Sequence, residues 1–378
     1  MFPLSLACSA EASSARSPSR LNPAAYATST RRPLDRAVIS KDLTVSVVVP
    51  TFNRREPLRR LLNSLERQHQ RGARFETVVV IDGSDDGTEA VLTSLRPSYP
   101  LRAIFGPRRG AAAARNVGIA AAMGEVLLFL DDDVVSEDGL FERHLAIHAE
   151  DPLAAVTGKM AAPTGHAQPA WLDWEATMLE RNYARVVAGR GGPGWWLFYT
   201  ANASVRREQV IGAGGFDERF ERVEDNELAY RLAARGLHFY FLPDAVVRHE
   251  PDRTFEAWLH VASVSGKNRV LLEERIGLAG ASNIREDWRR RHRLTRALAT
   301  LCVGHTNRTR FVVGALGRVI RGRLAPRKPR LLLCSAVYNV LYWNGVAKAM
   351  GLGSELWHRF VQNEPGLIAA EGPNAAKS

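Results

Sequence analysis

The chain has 378 residues, 46% of them apolar, enough for one large α/β domain with appendages or for two domains. Its three cysteines, Cys8, Cys302 and Cys334, lie far apart without metal-ligand spacing, which argues against a disulfide framework or a zinc site and fits a reducing compartment. The net charge of +11 is local: Trp288 to Ser354 holds 14 Lys and Arg and no Asp or Glu, and the rest of the chain carries 37 basic against 40 acidic residues, which argues against nucleic-acid binding by the main domain.

Residues 1–42 are rich in Ser, Ala, Arg and Pro without an amphipathic period and read as a disordered extension. Val45 to Val49 reads as a strand buried on both faces. Pro57 opens a helix with Leu58, Leu61, Leu62 and Leu65 at helical spacing. Thr77 to Ile81 is a second buried strand, and Asp86-Gly87-Thr88 starts a short helix. Leu101 to Phe105 is a third strand, Ala111 to Met123 an Ala-rich helix ended by Gly124, and Val126 to Leu130 a fourth strand. Strand and helix alternating in units of about 30 residues imply a parallel sheet covered on both faces.

The second half is mixed. Strands are expected at Ala154 to Met160, His238 to Leu242 and Ala245 to Arg248. Helices are expected at Pro169 to Asn182, Glu224 to Arg235 and Phe255 to Arg275. Trp195 to Thr200 and Ala203 to Val205 read as extended. The domain limits are therefore 1–42 for the extension, 43–280 for the α/β domain and 281–378 for a basic, apolar helical region.

Ligands of parallel sheets bind outside the carboxyl ends of the strands. Three polar clusters stand there: Pro50 to Asn53, Asp82 to Asp86 and Asp131 to Asp133. Three adjacent carboxylates after a buried strand repel one another unless a cation neutralises them, and hard cations complete their shells with phosphate oxygens. The same run is also compatible with a helix cap and turn. Asp82 is placed to accept from a nucleobase N–H, and Phe52 to stack on that base or simply to fill core. Arg115 sits on the helix leading to the Asp131 strand, either solvated or ordering carboxylates and phosphate. Glu224 and Asp225 begin a helix, where acids favour the macrodipole or where one serves as a general base. His249 ends a strand, as a structural histidine or as an extra metal ligand. Gly106 to Gly110 is not a phosphate loop of the P-loop type.

In this order, Val-Ser-Val-Val-Val-Pro-Thr-Phe-Asn-Arg at 45–54, Ile-Asp-Gly-Ser-Asp-Asp-Gly-Thr at 81–88, Ala-Arg-Asn-Val-Gly at 114–118, Gly-Glu-Val-Leu-Leu-Phe-Leu-Asp-Asp-Asp at 124–133, Gly-Gly-Phe-Asp-Glu at 214–218 and Glu-Asp-Asn-Glu-Leu-Ala-Tyr-Arg-Leu at 224–232 resemble the family 2 glycosyltransferases. The resemblance implies a GT-A fold, with a mostly parallel Rossmann-like sheet flanked by helices, and an inverting, metal-dependent transfer from a nucleoside-diphosphate sugar, commonly uridine-linked. It implies that Pro50, Thr51, Phe52, Asp82, Arg115 and Asp132 hold the nucleotide. Asp131, Asp133 and His249 would hold a divalent metal, Mg2+ or Mn2+, with Asp131 and Asp133 as the ends of the DxD motif. Asp225 would be the catalytic base, with Glu224 beside it. Two features depart from the pattern. Ile81 stands where the family often has a first acid, and the Gln-x-x-Arg-Trp motif of processive synthases is absent, so transfer of one sugar is expected. A donor-binding protein of the same fold without turnover is the alternative.

Arg289 to Arg330 alternates arginine clusters with apolar segments, and Leu331 to Met350 adds Tyr338, Tyr342 and Trp343. Asn339, Asn344 and Lys348 interrupt the latter as a membrane span. A basic, aromatic, amphipathic region suits an anionic membrane surface, or else packs on the catalytic domain with a solvated basic face. The expectation is a protein peripheral at the cytoplasmic face of a membrane, acting on a glycan or lipid-linked acceptor in cell-surface polysaccharide assembly.

Overall fold

The computed structural model describes residues 44–165, 167–276, 280–322 and 325–362. The expected extension at 1–42 lies outside them. By their contacts the described residues fall into two compact units, one of 44–167 and 176–252, the other of 168–175 and 253–362. The expected boundary stood near residue 280; the contacts group the chain from Arg253 onward with the C-terminal helices.

In the first unit eight strands form one sheet: β1 (Val45–Thr51), β2 (Glu76–Asp82), β3 (Leu101–Gly106), β4 (Val126–Leu130), β5 (Val134–Ser136), β6 (Ala154–Ala161), β7 (Asn202–Arg206) and β8 (His238–His249). Their order is β3-β2-β1-β4-β7-β6-β8-β5. β3, β2, β1 and β4 run parallel, as the strand–helix alternation requires. β7 is antiparallel to both β4 and β6, β5 is antiparallel to β8, and β6 and β8 are parallel. Val47, Val48 and Val49 are fully buried, which explains the unbroken β-branched run. The two strands expected at 238–248 are one long strand, and its pairing with β6 shifts register between Gly158 and Lys159.

The helices of this unit are α1 (Arg55–Gln70), α2 (Thr88–Ser94), α3 (Ala111–Ala121), α4 (Leu140–Glu150), α6 (Arg207–Gly212) and α7 (Glu224–Ala234); α5 (Ala170–Val187) precedes α6 in the chain. Gly118 lets α3 lie against β1, where a Cβ would stand 2.5 Å from Val48 Cγ1. Trp195 to Leu197, expected to be extended, is one turn of 3-10 helix held by Asn226, whose side-chain amide donates to the carbonyls of Trp195 and Phe198. A buried chain ties α4 to β7. His144 Nε2 lies 3.1 Å from Asn202 Oδ1, and Asn202 Nδ2 donates to the Ala245 carbonyl, so His144 Nε2 carries the proton and its Nδ1 accepts from Ser204 Oγ. His148 Nε2 then donates to Ser204 Oγ at 2.8 Å. Burial holds both rings neutral, pushing His144 down to about 4 and His148 to about 3.

The second unit is helical: α8 (Phe255–Ile276), α9 (Gly280–Arg290), α10 (Arg293–Cys302), α11 (Thr306–Arg321), α12 (Arg327–Ala349) and α13 (Ser354–Gln362). Gly266 and Gly345 let α8 and α12 meet backbone to backbone, since a Cβ on either would collide with a carbonyl of the other helix. That contact buries Tyr338, Tyr342 and Trp343. The aromatic residues expected at a membrane surface are therefore core. Cys302 and Cys334 are buried thiols. No helix among the described residues is long and apolar enough to cross a membrane.

Candidate active site

The polar clusters converge where the sheet places them. β1 ends in Pro50 and Thr51, β2 in Asp82, β4 runs into Asp131 to Asp133, and β8 delivers His249 beside β5. Phe52 and Arg54 follow β1, and α3 carries Arg115.

Asp131 and Asp133 take different partners. Arg115 Nη2 donates to Asp131 Oδ1 at 2.8 Å. Asp133, 7% exposed, has Oδ1 3.3 Å from His249 Nε2 and Oδ2 4.0 Å from Arg54 Nη1. The Asp133 carbonyl also accepts from the Glu250 amide, which locks β8's end to the acidic turn. Asp132 stands between them, pushed up to about 8 by burial and then by the charge of Asp133; the Thr51 hydroxyl and Arg54 oppose the rise. Thr51 Oγ1 is buried and makes no full hydrogen bond among the described residues. Arg54, which also pairs with Asp252, had no assigned role in the sequence; its place in the Val45-to-Arg54 motif was the available signal.

Arg115 is only 4% exposed, so it is no solvated helix residue. Its Nη1 donates to Glu224 Oε1 at 2.7 Å. Burial works against its charge, but Asp131, Glu224 and Asp225 outweigh it and raise the guanidinium's pKa further. Arg115 thus joins the acids after β4 to those opening α7. Asp225, 6% exposed, is pushed up to about 7 by burial and then by Glu224, with Arg115 and the Asn226 amide opposing. A carboxylate titrating near neutrality is suited to general base work. The residue before this pair, Val223, has φ 59°, a conformation a β-branched side chain rarely adopts and one that costs about 1–3 kcal/mol. The buried Tyr199 phenol lies near enough to Asp225 for that charge, after burial, to raise its pKa. Nothing in the sequence marked it.

The remaining motifs are tied to neighbouring loops. Asn116 donates to the Phe216 carbonyl and accepts from the Phe216 amide, and Gly215, at φ 70°, leaves room for that amide side chain. Asp82 accepts from the amides of Arg109 and Gly110 at 2.7 and 2.8 Å, and the Arg108 guanidinium lies 4.1 Å over the Phe52 ring. Asp86 accepts from the Thr88 amide, as a turn residue should, and also from the amide of Arg55, the first residue of α1.

Among the described residues no three His, Cys, Asp or Glu side chains converge as a ready metal cage. A cation that arrives with phosphate needs only one or two protein ligands, about 2.1 Å from the metal. Asp133 Oδ1 and His249 Nε2, 3.3 Å apart, fit that requirement.

Residues 46–211 match the family model described as Glycosyl transferase family 2. The uncharacterized glycosyltransferase YfnE of Bacillus subtilis is 28% identical over 258 residues, 55% of this chain and 65% of that protein. The validoxylamine A glucosyltransferase of Streptomyces hygroscopicus subsp. limoneus is 32% identical over 224 residues, 51% of this chain and 48% of that protein. The chain thus spans about half to two thirds of the length of these relatives. The mannosyltransferase PcManGT of Pyrobaculum calidifontis, solved with GDP-Man and Mn2+, superposes with a TM-score of 0.56 at 19% identity over 83% of this chain and 90% of that one. The fold is therefore GT-A, as the sequence implied.

Proposed function

We propose, from the match of residues 46–211 to the family 2 glycosyltransferase model, that the chain is a member of that family and moves a single sugar from a nucleoside-diphosphate sugar, uridine-linked, to an acceptor hydroxyl with inversion. The acceptor is a glycan or lipid-linked glycan of cell-surface polysaccharide assembly. The observation that carries the reading is Arg115, which ties Asp131 on the donor side to Glu224, the neighbour of Asp225. Solved structures of this fold with GDP-Man and Mn2+, and with UDP-GlcNAc, support a nucleotide-sugar donor.

In this reading Asp225 accepts the acceptor's hydroxyl proton. The freed oxygen attacks the anomeric carbon on the face opposite the diphosphate, which leaves with the electron pair of the broken C–O bond. Glu224 keeps Asp225 basic through its charge, and Arg115 holds Glu224 in place. Thr51, Pro50 and Asp132 receive the nucleoside, and the base takes the face of Phe52 that Arg108 covers. Asp133 and His249 would hold a divalent cation, Mg2+ or Mn2+, with Asp131 as a supporting carboxylate. When bound, the cation supplies positive charge for the leaving diphosphate.

The C-terminal unit meets an anionic membrane in the same proposal. Phe311 and Leu332 are 77% and 71% exposed, and Arg310, Arg318, Arg327 and Lys328 are exposed on the same two helices. Apolar side chains among cations suit anionic lipid.

A screen of nucleotide sugars by melting-temperature shift and by transfer, with and without Mn2+ or Mg2+, tests the reading. One donor stabilising the protein only with metal, and being consumed, is expected. Metal-independent binding of every donor would overturn the role of Asp133, and binding without consumption would turn the reading to a donor-binding protein.

A further inference from the structure

The geometry points to a second anion site, in the C-terminal helical unit, built for the phosphate group of a phosphorylated ligand. A recess of about 340 Å3 is lined by Trp288, Arg293, Arg296, Thr300, His358 and Gln362. That volume is within the range of small-ligand sites and exceeds a bare phosphate, so part of an organic group fits beside it.

Two helix faces make the walls. Arg293, Arg296 and Thr300 recur at i, i+3 and i+7 on α10, one stripe of that helix. His358 and Gln362 stand at i and i+4 on α13. The floor is rigid, because Trp288, 3% exposed, packs edge-on against Trp343 and Trp357 at ring distances of 5.0 and 5.1 Å.

Two arginines stand in this lining beside the apolar Trp288, Ala297 and Val361. Among the described residues neither the Arg293 nor the Arg296 guanidinium has a carboxylate partner, and Arg296 Nε is buried without a hydrogen bond. The acids of α9 are engaged elsewhere: Asp287 binds Arg291 at 2.9 Å, and Glu286 binds Arg290. The acid of α13, Glu355, is exposed and does not line the recess. His358 Nδ1 donates to the Ser354 carbonyl at 2.9 Å, which leaves Nε2 for a ligand. A buried guanidinium nitrogen without an acceptor calls for one, and two forked guanidiniums match the tetrahedral oxygens of a phosphate. Phosphate binding there does not depend on the reaction proposed above.

The test uses the full chain in metal-free buffer, so that donor-site metal does not capture the probe. Inorganic phosphate is titrated calorimetrically against the wild type, Arg293→Gln and Arg293→Gln/Arg296→Gln. Arg293 is exposed, so the single variant folds, and the melting temperature checks the double one. About tenfold weaker binding in the single variant, and a larger loss in the double, is expected. Equal binding by all three, or no binding by the wild type, overturns the proposal. Flotation with phosphatidylcholine vesicles, with and without phosphatidic acid, separates the two sources of phosphate. Phosphatidic-acid binding that the substitutions abolish assigns the site to a lipid headgroup, and vesicle binding unchanged by them assigns it to a soluble phosphate.

Discussion

Arg115 Nη1 donates to Glu224 Oε1 at 2.7 Å, so a residue of the helix before the aspartate triplet reaches the acid pair 109 positions later. Its other amino group holds Asp131. Asp131 after β4 and the acids opening α7 are therefore one electrostatic unit. The cation also explains how Asp131, Glu224 and Asp225 are tolerated together in a space where Asp225 is 6% exposed. Without it, three carboxylates would share a low-dielectric pocket.

Arg115→Ala leaves Glu224 and Asp131 without their partner. Removing one member of a buried pair costs about 3–5 kcal/mol. The variant melts lower and loses transfer. Arg115→Lys keeps the charge but cannot fork to both acids, so it recovers stability better than activity. Melting curves beside transfer rates check this, and an alanine variant as stable as wild type would remove Arg115 from the centre of the site.

Asp225→Asn is expected to lower transfer about 10²–10⁴-fold while leaving donor binding intact. Because the base must be ionised, wild-type kcat/KM rises with pH through a limb near 7. Stability runs the other way. The folded carboxyl holds its proton up to about 7 against an ordinary 3.8, so Asp225 subtracts stability as pH rises between those values. Asn removes that loss. The variant melts higher than wild type at pH 8, and the difference shrinks toward pH 4. Equal loss of donor binding and transfer would make Asp225 structural.

Much of this site is legible in sequence because buried parallel strands write themselves as β-branched runs, and the residue after each run is then at the binding edge. Thr51, Asp82 and Asp131 are found that way. Ile81, where an acid often stands, is core at 2% exposure, so its apolar character follows from the strand. Arg115 is legible only as one of two readings, because an arginine on an Ala-rich helix looks the same whether solvated or buried, and its link to Glu224 spans 109 positions. β5 is three residues long and carries no period to detect. The tail misleads for a different reason. A basic segment with Tyr and Trp reads as interfacial, and only the Gly266–Gly345 approach, made across about 80 residues of chain, shows that those rings are core.

Asp133→Asn and His249→Ala each weaken the proposed metal-assisted donor binding. The 3.3 Å pair is the one place among the described residues where a carboxylate and an imidazole face each other at the aspartate triplet. Titration of Mn2+ by its paramagnetic resonance, with nucleoside diphosphate present, should show about tenfold or greater weakening in either variant. Unchanged Mn2+ affinity in both would move the metal elsewhere.

Arg108 covers the ring that the base is proposed to use, at a separation that leaves no room for a base between them. An exposed cation–π contact is worth about 0.5–1 kcal/mol. Arg108→Ala removes a competitor for Phe52, so uridine diphosphate should bind about 2- to 5-fold tighter. Phe52→Ala should bind it more weakly. If Phe52→Ala is neutral, the base stacks elsewhere. If Arg108→Ala binds more weakly, Arg108 is part of the nucleotide site rather than its cover.

The membrane proposal now rests on α11 and the start of α12. Truncation from Arg289 onward would strip α12 from α8 and expose Trp258, buried in that unit, so loss of vesicle binding by such a fragment would prove little. Phe311→Ser/Leu332→Ser is the better variant, because both side chains are already in solvent and the fold has no stake in them. Flotation with phosphatidylglycerol-containing vesicles should show the wild type bound, bound less at high salt, and released by the double substitution. If the substituted protein floats as well as the wild type, those residues are not the contact. The arginines would then be a solvated face of the helical unit.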